Sequence, residues 1–249
     1  MIFRRRIGIT SQATASSGEA RAALEDDFHH FRVRIAHEGG HVVQAQGWGL
    51  RHPYSTCPMA AGQLIRLIGM KLESAASSVA RVAEPREQCT HLLDLAGLAI
   101  AAAANLVVRR WYDAAVPRRI DGQTQATLHR DGLPALAWDL QDTTILGPSA
   151  YQDVSLREGM AAWALGTLTQ DEAEAALVLR RCALISLGRT KDLDAQIHAE
   201  PTGRCFVQQP QRAALGRRMV GSMLDFTDRA GVLCEADREW LAFNRATVS

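Results

Sequence analysis

Four residues combine reactive side chains with suggestive placement: Asp27 and His29 head one patterned segment, and Cys57 and Cys89 head two others. Across residues 28–36, Phe31, Val33 and Ile35 alternate with His30, Arg32 and Arg34, the pattern of a half-buried strand. A period of two sends Asp27 and His29 to the apolar face and turns His30 towards Arg32 and solvent. An imidazole or carboxylate taken out of water needs a hydrogen bond, a counter-charge or a metal. Cys57 continues into Ala61 and Leu64, and Cys89 into Leu92 and Leu93, so both thiols are expected to face inward. At a helix N-terminus the dipole favours the thiolate, which is the species that ligates metals. Two thiolates, one imidazole and one carboxylate make a four-coordinate set for zinc or iron(II). Taken singly, each has a plainer reading: a buried cysteine is a small apolar side chain, Asp27 caps a turn, and His29 ends a strand.

These residues need elements to position them. Residues 10–22 are rich in Ser, Ala, Thr and Gly, so residues 1–23 are expected to form a mobile lead-in. A hairpin follows, with strands at 28–36 and 41–46 joined by a turn at His37-Glu38-Gly39-Gly40. The loop GWGLRHPYST carries His52 and Tyr54, which could line a pocket or transfer protons. Pro58 suits a first helical residue, and that helix ends near Gly69. A second helix is expected over 88–110, with Leu92, Leu93, Ala96, Ile100 and Ala103 on one face. His91, about 200° round that helix from Cys89, is expected to face elsewhere.

Residues 119–145 read as a second hairpin turning at Asp131-Gly132. Helical spacing returns at 156–166, 171–187, 211–229 and 235–244. The loop of residues 190–210 holds Cys205, His198 and Arg204 and could act as a lid, with Arg204 and Arg212 as carboxylate holders. Cys182 and Cys234 read as core. The expected organisation is therefore a metal-binding α+β domain at 24–117, with the hairpin and helices of 118–249 packed on it.

Composition narrows the function. The chain has 249 residues, 47% of them apolar, with 28 basic and 27 acidic residues and a formal charge of +1. No field of one sign draws nucleic acid or an anionic membrane. The run LLDLAGLAIAAAANLVV is interrupted by Asp94 and Asn105 and reads as a buried helix. The start lacks a long apolar stretch, so the expected location is the cytoplasm. Five cysteines show no CxxC pair, and Lys71 and Lys191 are the only amine side chains available as nucleophiles. HEGGH at 37–41 has the letters of a zinc motif, but its glycines mark a turn where that motif needs a helix.

The segments DDFHHFRVRI, YSTCPMAAGQLIRLIGMKL and REQCTHLLDLAGLA resemble a bacterial domain-of-unknown-function family, number two-eight-eight-nine. There, an acidic-Phe-His strand, a Cys-Pro-x-Ala helix and a Cys-Thr-His-Leu helix recur in this order. The resemblance covers roughly residues 24–112 and, more weakly, GRCFVQQPQRAALGRR. A more distant resemblance is to the U-type iron–sulfur scaffold fold. It implies that Asp27 stands at the first Cys position, His29 at the Asp position, and Cys57 and Cys89 at the other two. The replaced thiolate makes sulfur handling less apt and a catalytic zinc or iron more so. The resemblance to the bacterial family implies breakdown of aromatic compounds. The expectation is thus a metal-dependent lyase or hydratase acting on a small aromatic or related compound, with a homo-oligomer left open. The alternative is a metal or iron–sulfur carrier serving a partner protein.

Overall fold

A computed structural model describes residues 1–243. The fold is α+β: one antiparallel eight-stranded sheet in the order β4-β3-β2-β1-β5-β6-β7-β8. The strands are β1 (Ile2–Ala13), β2 (Ser17–Asp26), β3 (His30–Glu38), β4 (His41–Arg51), β5 (Arg109–Pro117), β6 (Gln123–Arg130), β7 (Leu133–Gln141) and β8 (Thr144–Gly147). Of three longer helices, α1 (Thr90–Ala104) and α3 (Gln170–Ile185) lie against it, and α2 (Met160–Thr167) packs on α3. Two short ones, α4 (Pro210–Ala213) and α5 (Arg238–Leu241), follow.

The expected mobile lead-in is instead the middle of the sheet. Residues 1–23 supply β1 and most of β2, and β1 pairs with both β2 and β5. Phe3, Ile7 and Ile9 alternate into the core beside Ala20, Ala22 and Leu24. The alternation is hard to read because Arg5 and Ser11 occupy core-facing positions and the β2 face is built largely from alanine. Through β1 and β5 the sheet runs unbroken across residues 117 and 118.

The β3–β4 hairpin turns at Gly39 and Gly40, both at positive φ, where glycine carries no Cβ penalty. The β6–β7 hairpin turns at Asp131-Gly132, also at positive φ, as its sequence requires. The strand expected from residue 28 starts later, because residues 27–29 form the turn that joins β2 to β3. His30 accordingly lies buried against Asp237 on the outer face, not in solvent.

The Cys57-led segment is a 3₁₀ helix, Cys57–Leu67, and α1 starts at Thr90 with Cys89 as its N-cap. α1 is buried on nearly every side and crosses β1, β2 and β3. Gly97 permits this: a Cβ there would lie 2.1 Å from the carbonyl oxygen of Ala76. The helix expected over 211–229 is only α4, since Gly216 packs where a Cβ would meet Val207 and Gly221 sits at positive φ. The helix expected over 235–244 reduces to a 3₁₀ turn and α5, and Asn244 lies outside the described residues. Among the described residues, no helix is long and apolar enough to cross a membrane.

Gly97→Ala should lower stability by about 1–3 kcal/mol, because α1 must move away from Ala76. Urea unfolding checks this; an unchanged midpoint would contradict the close approach.

Candidate metal centre

The site is built outward from Arg5. In the β1–β2 register Arg5 stands opposite Asp26, the last residue of β2, and both are almost fully buried. Arg5 Nε donates to Asp26 Oδ2 at 2.8 Å, and Nη2 donates to the same oxygen. Asp26 Oδ1 accepts the backbone N–H groups of Phe28 and His29, both at 2.7 Å. One carboxylate therefore shapes the turn that follows it, as aspartate does when it bonds backbone two or three residues ahead. Arg51 closes the turn from outside, donating to the carbonyls of Asp26 at 2.6 Å and Asp27 at 3.1 Å.

The turn aims His29 inward. Its Nδ1 lies 3.1 Å from Asp26 Oδ1, which fixes the ring and leaves Nε2 free. Across from it, in the first turn of α1, is His91, with ring centroids 4.0 Å apart. Phe31 stacks on both rings, at 5.7 Å and 5.8 Å. His91 Nε2 is buried without a hydrogen-bond partner. Asp26, His29 and His91 each offer a ligand atom within 4.8 Å of the other two. Burial would raise the Asp26 pKa, but Arg5 and then His29 outweigh it and hold the carboxyl well below the usual range. Burial, reinforced by His29 and Arg5, holds His91 well below its ordinary value, so its imidazole is neutral at pH 7.

His52, in the loop after β4, is near enough for the His29 charge to act on it. Its Nδ1 lies 2.9 Å from the Tyr54 carbonyl oxygen, so the neutral ring donates there and presents Nε2 as acceptor. Burial lowers its pKa. The Tyr54 hydroxyl donates to Gln196 Oε1 at 3.0 Å.

The four residues singled out in the sequence do not converge. Only His29 joins the centre. Asp27, expected on the same face, is buried elsewhere, with Oδ2 3.2 Å from Arg189 Nε but neither oxygen aligned for a hydrogen bond. The period-two reading fails there because residues 27–29 are a turn. Burial pushes the Asp27 carboxyl up to about 7 against the opposing pull of Arg189. Cys57 and Cys89 do meet, but in a separate apolar cluster with Cys205, Phe206 and Val207. Of the proposed carboxylate holders, Arg212 is paired with Glu87 at 2.9 Å and Arg204 is exposed. Cys182 and Cys234 are buried.

Sequence reasoning missed Asp26, Arg5 and the inward aim of His91. The angular count that turned His91 away assumed a helical Cys89, whereas Cys89 is an extended N-cap at φ −71°, ψ 117°. An Arg three residues after a strand's first apolar position, opposite an acid, was the available signal for the Arg5–Asp26 pair.

Residues 9–105 match the sequence profile of a family described as protein of unknown function (DUF2889). This segment is similar to that family. No curated protein matches the chain. The matched segment holds Asp26, His29, Cys57, Cys89 and His91, while Arg5 and Cys205 come from outside it. Its carboxylate is thus held by a residue that precedes the matched region.

Two outcomes follow for this centre. Arg5→Met should cost about 3–5 kcal/mol, since it strands a buried carboxylate; a loss under about 1 kcal/mol in denaturant melts would contradict the pairing. The second concerns Asp27, whose folded pKa lies above the unfolded value. Its contribution is fully present below about pH 4, lost as pH rises towards and through 7, and on the order of a few kcal/mol. Asp27→Asn should flatten the stability profile across that window, and parallel profiles for the two proteins would contradict it.

Proposed function

We propose that His29 and His91, with Asp26 orienting His29 from behind, hold zinc or iron(II), and that the chain is a metal-dependent lyase or hydratase acting on a small organic compound. The observation that carries this reading is the orphaned, buried Nε2 of a neutral His91 facing a second imidazole whose other nitrogen is tied to a carboxylate. Leaving a buried polar atom without a partner is costly, and a cation between the two rings removes that cost. Two imidazole nitrogens, one of them on a ring oriented by a carboxylate, suit both zinc and iron(II) and leave coordination positions for water or substrate.

When bound, the ion supplies Lewis-acid activation of a carbonyl or hydroxyl. The chain's own residues do the rest. Asp26 fixes the ring of His29, and Arg5 holds Asp26 ionised. Phe31 covers one side of both imidazoles and excludes water. His52, neutral and with Nε2 free, is the group placed to take a proton from substrate, and Tyr54 holds its orientation through the backbone carbonyl. An aromatic substrate rests on the family resemblance alone. We place the protein in the cytoplasm, in keeping with five unpaired cysteines, and assign it no nucleic-acid partner. A resident ion is favoured over a cargo ion by the burial of all three side chains, which hinders transfer to a partner protein.

Elemental analysis of purified protein tests this. About one zinc or iron per chain is expected, falling at least tenfold in His91→Ala. Metal-free wild type after incubation with either ion, or unchanged content in His91→Ala, would refute the assignment.

A further inference from the structure

The two histidines of the HEGGH segment end in opposite surroundings. His41 is exposed, with Nδ1 3.0 Å from the Gly39 carbonyl oxygen. His37 is 2% exposed, and neither of its ring nitrogens has a hydrogen-bond partner. The centre described above makes no use of it.

Alternation explains the burial, since His37 follows Val33 and Ile35 on the core face of β3. Between Ala36 and His37 the register against β4 shifts, so His37 stands opposite Val42 while Val43 is left without a partner and exposed. Such a bulge re-aims the side chains beside it. β4 is an edge strand, and residues 69–72 run along its start. Val42 N–H donates to the Met70 carbonyl, Gly69 N–H to the Val42 carbonyl and Leu72 N–H to the Gly40 carbonyl, each at 2.8 Å. Gly39 N–H ties the turn to the Ser16 carbonyl at 2.7 Å. These few bonds close the hairpin tip that holds His37.

No counter-charge is placed for a protonated His37. On β2, Glu19 is engaged by Arg21 at 2.6 Å and by Arg34 at 2.5 Å. Glu38 and His41 at the turn are exposed, as are Arg66 in the 3₁₀ helix and Lys71 beside β4. α1, which crosses β3, carries His91 and Asp94 as its titratable groups, and Asp94 is paired with Arg181 at 2.8 Å. Burial alone acts on the ring and holds its pKa below the ordinary value. An imidazolium in the closed tip has neither water nor an acceptor, whereas in an opened tip it has water. Protons therefore bind the open form preferentially. The closed tip keeps its full stability above about pH 7 and weakens as pH falls below the ordinary histidine value of about 6.5.

We propose that His37 is an acid-operated latch: uptake of one proton from solvent opens the hairpin tip and frees residues 69–72 from β4. The opened tip presents the start of β4 as an unpaired edge and uncovers Val42 and Met70, both buried when it is closed. This latch stands apart from the metal assignment and survives its failure.

Hydrogen exchange of the full chain, followed by NMR and corrected for intrinsic rates, tests it. The opening constant at the amides of Val42, Gly69 and Leu72 should rise about threefold or more from pH 7 to pH 5. Protonation of Asp27 stabilises the fold over the same interval, so the rise cannot come from that carboxyl. His37→Phe should remove it. Where His37→Phe does not fold, the wild-type imidazole decides. At pH 5.5, where an unhindered histidine is mostly protonated, the His37 ring of closed molecules should still show the nitrogen chemical shifts of a neutral imidazole. A flat opening constant, an equal rise in His37→Phe, or a charged ring in the closed tip would each overturn the proposal.

Discussion

Arg5 and Asp26 meet in the interior of the sheet, and much of the surrounding architecture follows from the need to satisfy that pair. A buried carboxylate without partners is among the most costly groups a core can hold. Here one oxygen takes the guanidinium, while the other takes two backbone amides and an imidazole nitrogen. The same bonds fix the register of β1 against β2, shape the turn before β3 and orient His29. Structural and chemical roles thus fall on one side chain, so the centre cannot be perturbed without disturbing the middle of the sheet.

α1 completes the arrangement. Its small residues let it lie close across β1, β2 and β3, and its first turn delivers His91 to His29. The Cys89 N-cap, two residues earlier, packs against the separate apolar cluster of Cys57, Phe206 and Val207. The loop bearing His52 lies near enough to the imidazole pair for the His29 charge to act on His52.

What was legible in the sequence was the part governed by local rules. Alternation and glycine turns marked β3, β4 and the Asp131-Gly132 hairpin, and apolar spacing marked α1 and α3. The α+β class followed from them. Residues 1–23 were not legible, because a central strand with a buried arginine and an alanine-rich neighbour lacks the hydrophobic contrast that reveals strands. The site was half legible. That His29 faces inward and that Cys57 meets Cys89 could be read from pattern. The exchange of Asp27 for Asp26 could not, since one turn residue reverses which acid faces the core. His91 was hidden by a boundary error of two residues at the start of α1, enough to rotate a side chain to the other side of a helix.

The central claim is that two imidazoles and a carboxylate at the end of β2 were assembled for a metal ion. Anomalous X-ray diffraction from crystals of the protein loaded with zinc or iron(II), collected at the absorption edge of that metal, tests it most directly. The account predicts a peak in bonding contact with nitrogen atoms of both His29 and His91. A fully loaded crystal whose anomalous density lies away from both imidazoles would contradict it.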